Sequence, residues 1–266
     1  MSNTQTFDNG FALRFAQLSA IGGRTENQDA LANAYQDDLA CFVISDGAGG
    51  YEGGEIASKI VVEAVIRQFN EEAAFGPRAL LSYIDGANTQ VAQRKSEEHR
   101  LRTMCATVAT LLIDGRNRLA LWGHVGDTRI YLFRSNKLHR VTKDHTLVQQ
   151  MVNAGIYGAE KLRTHPHRNI LSLAIDGEKG KVAEVIDVAA AIQADDRYLL
   201  CTDGFWEWIA EEEMAYVAAS TRTAGEWLDA MRAIVEINAS ASVTPPDNYT
   251  AFAVCFEDRT LAARIV

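Results

Sequence analysis

The chain has 266 residues, a formal net charge of −9 and 47% hydrophobic residues. That length and composition allow a sizeable buried core, in one large domain or two small ones. With 35 acidic and 26 basic residues, the acidic balance argues against nucleic-acid binding, because a phosphate backbone requires a basic surface.

Local sequence argues against three further classes of protein. The longest apolar runs, such as residues 108–113, are far too short to span a bilayer. Residues 1–10 lack the basic start of a secretory signal, so we expect a cytoplasmic protein that does not bind membranes. None of the four cysteines has an arginine six residues later, which argues against a cysteine-dependent phosphatase.

The first third of the chain predicts two strands followed by two helices. Mixed apolar and polar residues at 11–20 and an apolar run at 39–45 indicate strands. Helical spacing of Ile56, Ile60 and Ala64 predicts an amphipathic helix over 55–69. Pro77 suits the first turn of a second helix, which we expect to end near residue 98.

The middle of the chain changes to short β-prone segments. Turn residues separate these segments, which predicts an antiparallel meander; its strands are 106–113, 118–125, 129–134 and 138–141. A helix is predicted over 144–154, with Gly155 just beyond its end. Residues 156–169 are polar and irregular, and we expect an exposed loop.

The last third predicts more strands and a second pair of helices. The strands are predicted at 170–175, 182–188, 198–202 and 249–256, and the helices at about 211–219 and 224–238. Nothing resembles a linker or a repeat. We therefore predict a single domain over residues 1–266 of the α+β class, with two stacked antiparallel sheets and helices outside.

Four aspartates stand at predicted strand ends or beside them, and a fifth follows the polar segment 24–28. They are Asp29, Asp46, Asp127, Asp203 and Asp247. Any one of them could be an ordinary turn residue. Together they could converge at one edge of a sheet, where their mutual repulsion would require neutralising cations. Oxygen ligands favour Mg²⁺ or Mn²⁺ over zinc.

The glycine-rich segment 47–54 has a rival interpretation as a dinucleotide-binding turn. Its spacing misses the strict pattern, and Asp46 would repel a pyrophosphate. About twenty residues further on, where a ribose-binding carboxylate belongs, the chain is still predicted to be helical, near Arg67. The glycines more simply let the backbone bend so that a main-chain carbonyl beside Asp46 faces a metal.

Taken together, eight segments resemble the metal-dependent serine/threonine protein phosphatases of type 2C, particularly the bacterial members. They occur in the family's order, within a motif-bearing region of about 11–256, and are 24–30, 43–50, 53–58, 105–108, 124–131, 138–145, 199–206 and 247–250. The resemblance implies a four-layer αββα sandwich, in which two antiparallel β-sheets are flanked by helix pairs. It also implies hydrolysis of phosphoserine and phosphothreonine by a metal-activated water at a dinuclear Mg²⁺ or Mn²⁺ centre.

The resemblance also implies roles for the metal ligands. Asp46 would bridge two ions, and the Gly47 carbonyl would bind one of them. Asp203 and Asp247 would hold the other ion, and Asp29 would support the metal-bound waters.

Two further roles follow from the same resemblance. Asp127, with Asp203, would form the third-metal position seen in many bacterial members. Arg24 would act in catalysis by gripping the substrate phosphate, since a guanidinium matches two phosphate oxygens in a fork.

Three positions depart from the family pattern. Gln28 stands where many relatives carry Glu, so that contact would be neutral. Ala48 occupies the position of a proposed general-acid His of eukaryotic members, so the proton for the leaving group must come from elsewhere. Glu207 replaces a frequent Asp, and its longer arm could weaken or move the third metal.

The loop at 156–169 corresponds to a variable flap beside the site in this family. We hypothesise that Lys161, Arg163 and Arg168 contact acidic or phosphorylated substrates; a solvated loop explains them equally well. The expected partners are phosphorylated proteins, including a serine/threonine kinase and its targets, and some similar members act in type VI secretion regulation. The alternatives are a catalytically inactive relative that serves as a regulatory binding module and, more remotely, a nucleotide-binding oxidoreductase.

Overall fold

The computed structural model describes residues 3–7, 11–48, 53–180, 183–243 and 245–258. Some predictions fall outside these residues: Gly49 to Glu52 of the glycine-rich segment, and Val182 at the start of a predicted strand.

The described residues form strands and helices over most of the chain. The strands are β1 (Asn3–Thr6), β2 (Phe11–Ala20), β3 (Asp29–Gln36), β4 (Leu39–Ala48), β5 (Cys105–Ala106), β6 (Val108–Asp114), β7 (Leu119–Val125), β8 (Arg129–Arg134), β9 (Lys137–Val141), β10 (Glu184–Val185), β11 (Ala190–Ala191), β12 (Arg197–Cys201) and β13 (Tyr249–Asp258). The helices are α1 (Gly53–Glu71), α2 (Pro77–Glu97), α3 (Leu147–Asn153), α4 (Lys161–Thr164), α5 (Asp203–Trp206), α6 (Glu211–Ser220) and α7 (Ala224–Ser240), with a 3₁₀ turn at His99–Leu101. None of these helices is both long enough and apolar enough to cross a membrane.

The strands form two antiparallel sheets stacked face to face. One sheet has the order β1-β2-β13-β12-β8-β9, and the other has the order β10-β7-β6-β4-β3. Strand β11 also pairs with β7, and β5 pairs with β4. Helices α1 and α2 pack on the second sheet, and α6 and α7 pack on the first. The predicted αββα sandwich of the α+β class is therefore confirmed.

Strand β4 shows how the sequence builds the layers. Its side chains alternate between the two faces of the sheet. Cys41 and Val43 face the core beneath α1 and α2, whereas Phe42 and Ile44 enter the core between the sheets. All four are fully buried, which explains why this strand is an unbroken apolar run in the sequence.

The structure differs from the sequence-based prediction at several segments. The predicted strand at 170–175 is wrong: Leu171 and Ile175 make only isolated bridges, to Thr146 and Ala106. The predicted strand at 182–188 is reduced, within its described residues, to Glu184–Val185. In both segments apolar residues pack against the core without extended pairing, so their composition resembles that of strands.

Candidate active site

The fold brings aspartates from distant parts of the chain to one end of the sandwich. Asp29 and Asp46 are directly opposed across the β3–β4 pair. Asp127 lies two residues after the end of β7, Asp203 lies two residues after the end of β12 and begins α5, and Asp247 precedes β13. The predicted convergence of the five aspartates is thus observed, because the ends of neighbouring strands meet at one edge.

These strand ends surround a cavity of about 610 Å³. Its walls are Gly23, Arg24, Thr25, Glu26, Gln28, Asp46, Gly47, Ala48, Thr107, Asp127, Asn169, Leu171, Asp203, Asp247 and Asn248. Of the predicted metal ligands, only Asp29 is absent from this wall, and it lies buried beside Asp46.

The three basic residues of the flap do not line the cavity, although Asn169 at the end of the flap does. Arg168 forms a two-pronged ion pair with Glu207, at 2.5 and 2.8 Å. Arg163 pairs with Glu211 at 3.0 Å and donates to the carbonyl of Ile209 at 3.1 Å. Lys161 is half-buried and has no ion-pair partner among the described residues. Glu207, one of the departures from the family pattern, thus holds the flap through Arg168.

Burial and mutual repulsion disturb the acidity of these carboxyls. Burial, followed by the charges of Asp29 and Asp203, raises the pKa of Asp46 well above its usual value. Burial and then the charge of Asp127 do the same to the pKa of Asp203. The pKa of Asp127 rises to about 7, through burial and then the charge of Asp144. Several carboxyls therefore resist ionisation together unless a positive charge is added.

Asp29 has one oxygen that is satisfied and one that is not. The hydroxyl of Thr202 donates to Oδ2 of Asp29 at 2.9 Å. Oδ1 is buried and has no hydrogen-bond partner among the described residues. Burial raises the pKa of Asp29 to about 6, although the hydrogen bonds from Thr250 and Thr202 oppose this rise. An orphaned buried carboxylate oxygen is costly and fits a position beside a cation or its waters.

Arg24 lies at the mouth of the carboxylate cluster. One of its guanidinium nitrogens is 2.5 Å from Oδ2 of Asp247. Its side chain remains 56% exposed. An exposed arginine beside a cavity of this kind can bind an anion.

A close backbone approach explains why glycine stands next to Asp46. The Gly47 N–H donates to the carbonyl of Gln28 at 3.1 Å. A Cβ at Gly47 would lie only 1.9 Å from the carbonyl oxygen of Gly54. Any larger residue would force the start of α1 away from the site.

Three polar residues beside the aspartates were not identified as functional from the sequence. The Thr107 hydroxyl accepts the Asp46 N–H at 2.9 Å. Asn248 accepts the Gln28 N–H at 2.8 Å and donates to the carbonyl of Ile21 at 2.8 Å. Thr202, whose hydroxyl donates to Asp29, is the third of these residues. All three lie in the motif segments, and that position in the sequence could have indicated a role for them.

The donor set suits hard divalent cations. It offers carboxylate oxygens and backbone carbonyls, with no cysteine or histidine lining the cavity among the described residues. Mg²⁺ and Mn²⁺ prefer such oxygen ligands. Cations would also relieve the repulsion that raises the carboxyl pKa values.

The sequence matches known phosphatases over most of its length. A family model described as protein phosphatase 2C matches residues 17–237. The serine/threonine protein phosphatase PstP of Mycobacterium tuberculosis is 34% identical over 205 residues, which is 75% of this chain but 38% of that protein. The serine/threonine phosphatase stp of Listeria welshimeri is 30% identical over 224 residues, covering 82% of this chain and 85% of that protein.

Solved structures of phosphatases are similar to this chain over most of its length. The catalytic domain of PstP, solved in complex with two manganese ions, superimposes with a TM-score of 0.79 at 26% identity, covering 93% of this chain and all of that one. PppA, described as a key regulatory component of the type VI secretion system in Pseudomonas aeruginosa, gives a TM-score of 0.70 at 26% identity, covering 96% and 100%. The chain therefore belongs to the protein phosphatase 2C family.

Proposed function

We propose that the protein is a metal-dependent phosphatase that hydrolyses phosphoserine and phosphothreonine in proteins. The observation that carries this proposal is the convergence of the five aspartates at one edge of the sheets. Four of them line one cavity and Asp29 lies beside Asp46, and burial and repulsion raise the pKa of several of them. The family to which the chain belongs supports the same reaction. We further propose that residues 1–266 act as one catalytic domain.

Two divalent cations, Mn²⁺ or Mg²⁺, would be held by the oxygens at this edge. Asp46 would bridge both ions, and the Gly47 carbonyl would bind one of them. Asp203 and Asp247 would hold the other ion. When bound, such ions neutralise charge on the phosphoryl oxygens and lower the pKa of water to near neutrality.

Two further aspartates complete the proposed site. Asp29 would accept hydrogen bonds through its orphaned Oδ1 from waters beside the ions. Asp127 would bind a third ion together with Asp203.

Arg24 would orient the substrate. Its guanidinium, held at one nitrogen by Asp247, leaves further N–H groups to bind two phosphate oxygens as a fork. That contact would fix the phosphate in the cavity and would favour a dianionic ester over a neutral molecule. Ala48, which lines the same cavity, cannot donate a proton, so the leaving oxygen would take its proton from another group.

The flap would contact the protein part of the substrate. Lys161 is the member best placed to meet an acidic segment, because it has no ion-pair partner among the described residues. Arg163 and Arg168 are engaged with Glu211 and Glu207, so each would have to exchange that partner for a substrate anion.

A cytoplasmic serine/threonine kinase and its targets are the partners we propose. The support is the presence of serine/threonine phosphatases among the relatives. A role in type VI secretion is supported by the similarity to PppA. The cytoplasmic location remains a prediction from the sequence.

A small aryl phosphate and a phosphothreonine peptide test the activity. We expect hydrolysis of both with Mn²⁺, none with chelator, and none for Asp46→Asn. Asp229→Asn, an exposed change on α7, should match the wild type. Metal-independent activity, or full activity of Asp46→Asn, would contradict the dinuclear site. A folded protein that binds Mn²⁺ and phosphopeptide without turnover would favour the regulatory binding module.

A further inference from the structure

Trp206 connects two of the proposed metal ligands. It is the last residue of α5, the short helix that begins at Asp203. Its indole N–H donates to the backbone carbonyl of Asp127 at 2.9 Å, and its side chain is 2% exposed. The same helical turn therefore fixes the positions of Asp203 and Asp127, the pair proposed for the third ion.

A buried arginine holds the Trp206 ring from one side. The Cζ of Arg129 lies 3.4 Å from the ring centroid. Both prongs of this guanidinium are bound by Asp144, at 2.7 and 2.6 Å, and a third nitrogen donates to the Tyr131 hydroxyl at 3.0 Å. Because Arg129 is 4% exposed and its partner Asp144 is 6% exposed, the ring has little freedom to move on this side.

A second arginine reaches the same ring from the flap. The Cζ of Arg163, in α4, lies 5.4 Å from the Trp206 centroid. Glu211 pairs with Arg163 at 3.0 Å and lies 3.7 Å from a nitrogen of Arg129. This is a continuous set of contacts from the flap to Asp127. It is only partly buried at its outer end, where Arg163 is 23% exposed, so that end can open without unfolding the core.

We propose that Trp206 is a positioning residue that couples the flap to the cation bound at Asp127. When Arg163 is docked, the ring and its hydrogen bond hold the Asp127 backbone beside Asp203. When Arg163 leaves, the ring loosens and the third position loses affinity. Because coupling between sites is reciprocal, an ion at Asp127 also favours the docked flap. The inference rests on the ligand set given under Proposed function.

The experiment measures Mn²⁺ binding by calorimetry, with thermal unfolding as a check of folding. Trp206→Phe keeps the aromatic face for Arg129 and removes the N–H donor. We expect its weakest Mn²⁺ site to lose affinity by about threefold to tenfold, the range for one hydrogen bond, with the tighter sites unchanged. Arg163→Gln should weaken the same site. The double variant should lose less than the product of the two single effects.

Trp227→Phe is a matched control. Trp227 is also buried, donates its indole N–H to a backbone carbonyl, that of Met214, at 3.1 Å, and carries Arg197 5.6 Å above its ring. It lies among the residues that pack α6 and α7 against their sheet. The Trp227→Phe variant should lose thermal stability without any change in Mn²⁺ affinity.

The reciprocal effect provides a second readout. Saturation of the weakest site with Mn²⁺ should slow limited proteolysis at Lys161 and Arg168 in the wild type, and should not do so in Trp206→Phe. Asp127→Asn should abolish the weakest site. If Asp127→Asn leaves all Mn²⁺ binding intact, the ligand set itself is wrong and the coupling falls with it. If Asp127→Asn removes the site but Arg163→Gln and Trp206→Phe do not weaken it, only the coupling is overturned.

Discussion

Asp29 and Asp46 stand directly opposite each other in the antiparallel β3–β4 pair. Like charges at opposed positions of a sheet destabilise the pairing. Here the cost is increased by burial, which is the main cause of the raised pKa of both carboxyls. The metal-free site is therefore an unfavourable part of an otherwise well-packed fold, and a bound cation removes that penalty.

Asp46→Asn should stabilise the protein when metal is absent. The amide keeps the shape of the side chain and removes the charge that faces Asp29 and Asp203. In chelator we expect a Tm higher by about 2–6 °C, since 1 kcal/mol shifts a domain of this size by about 2–4 °C. Differential scanning fluorimetry measures the shift, and Asp229→Asn is the control. A lower Tm for Asp46→Asn in chelator would contradict the repulsion.

The stability of the metal-free protein should fall as the pH rises from about 4 to 8. The folded-state pKa values of Asp29 and Asp127 are about 6 and about 7, above the ordinary value of 3.8. Between these values the unfolded chain releases protons that the folded chain keeps, so raising the pH favours unfolding. The contribution of Asp29 and Asp127 to the free energy of unfolding is fully present below about pH 4 and is lost as the pH rises through their folded-state pKa values.

Urea unfolding of the wild type and Asp127→Asn in chelator tests this sign. The stability advantage of Asp127→Asn should be smallest near pH 4 and should grow up to about pH 8. Saturating Mn²⁺ should reverse the order at high pH, because the wild type then gains binding free energy that the variant lacks. An advantage that shrinks with rising pH would show that the Asp127 carboxyl is ionised at low pH.

The sequence was sufficient where one physical signal dominates. Strand β4 is buried on both faces, so its apolar run was unambiguous. Four of the aspartates were identified because they stand at or beside the ends of predicted strands, whereas Asp29 was identified through the motif segment that contains it. Strand β3 was missed because its residues are half-buried and mostly small, as in Ala30, Ala32 and Ala34, which gives little hydrophobic periodicity.

The contacts around the site were less accessible to sequence reasoning. The pairing of Arg168 with Glu207 and the stacking of Arg129 on Trp206 join residues 39 and 77 positions apart. No local pattern of charge or spacing indicates such partners. The three basic residues of the flap therefore resembled free cations in the sequence, whereas two of them, Arg163 and Arg168, are already paired in the fold.

Gly204→Ala should separate two of the proposed ligands. A Cβ at this position would lie 2.1 Å from the carbonyl oxygen of Asn248 and 3.2 Å from the Cβ of Asp247. The backbone must move apart between Asp203 and Asp247, at a cost of about 1–3 kcal/mol. We expect a lower Tm in chelator and weaker Mn²⁺ binding by calorimetry. Unchanged Mn²⁺ affinity would mean that these two residues do not share an ion.

Lys161→Glu should discriminate between protein and small-molecule substrates. The charge reversal places a carboxylate on the flap, outside the cavity wall. We expect a higher KM for an acidic phosphopeptide and an unchanged kcat/KM for an aryl phosphate. Lys59→Glu, an exposed change on α1, is the control. Equal phosphopeptide kinetics for the Lys161 variant and the wild type would indicate a solvated loop.

Arg24→Lys should impair phosphate binding although it preserves the charge. Lysine cannot offer two parallel N–H groups to two phosphate oxygens. The loss of one charge-assisted hydrogen bond, about 1.5–3 kcal/mol, predicts a fall in kcat/KM of about 10-fold to 150-fold. Arg67→Lys, a change on the exposed face of α1, should leave turnover intact. Mn²⁺ affinity measured by calorimetry should be retained in Arg24→Lys, because Arg24 is proposed to bind the phosphate and not the ions. If kcat/KM were equal to that of the wild type for both aryl phosphate and phosphopeptide, the guanidinium fork would have no part in substrate binding.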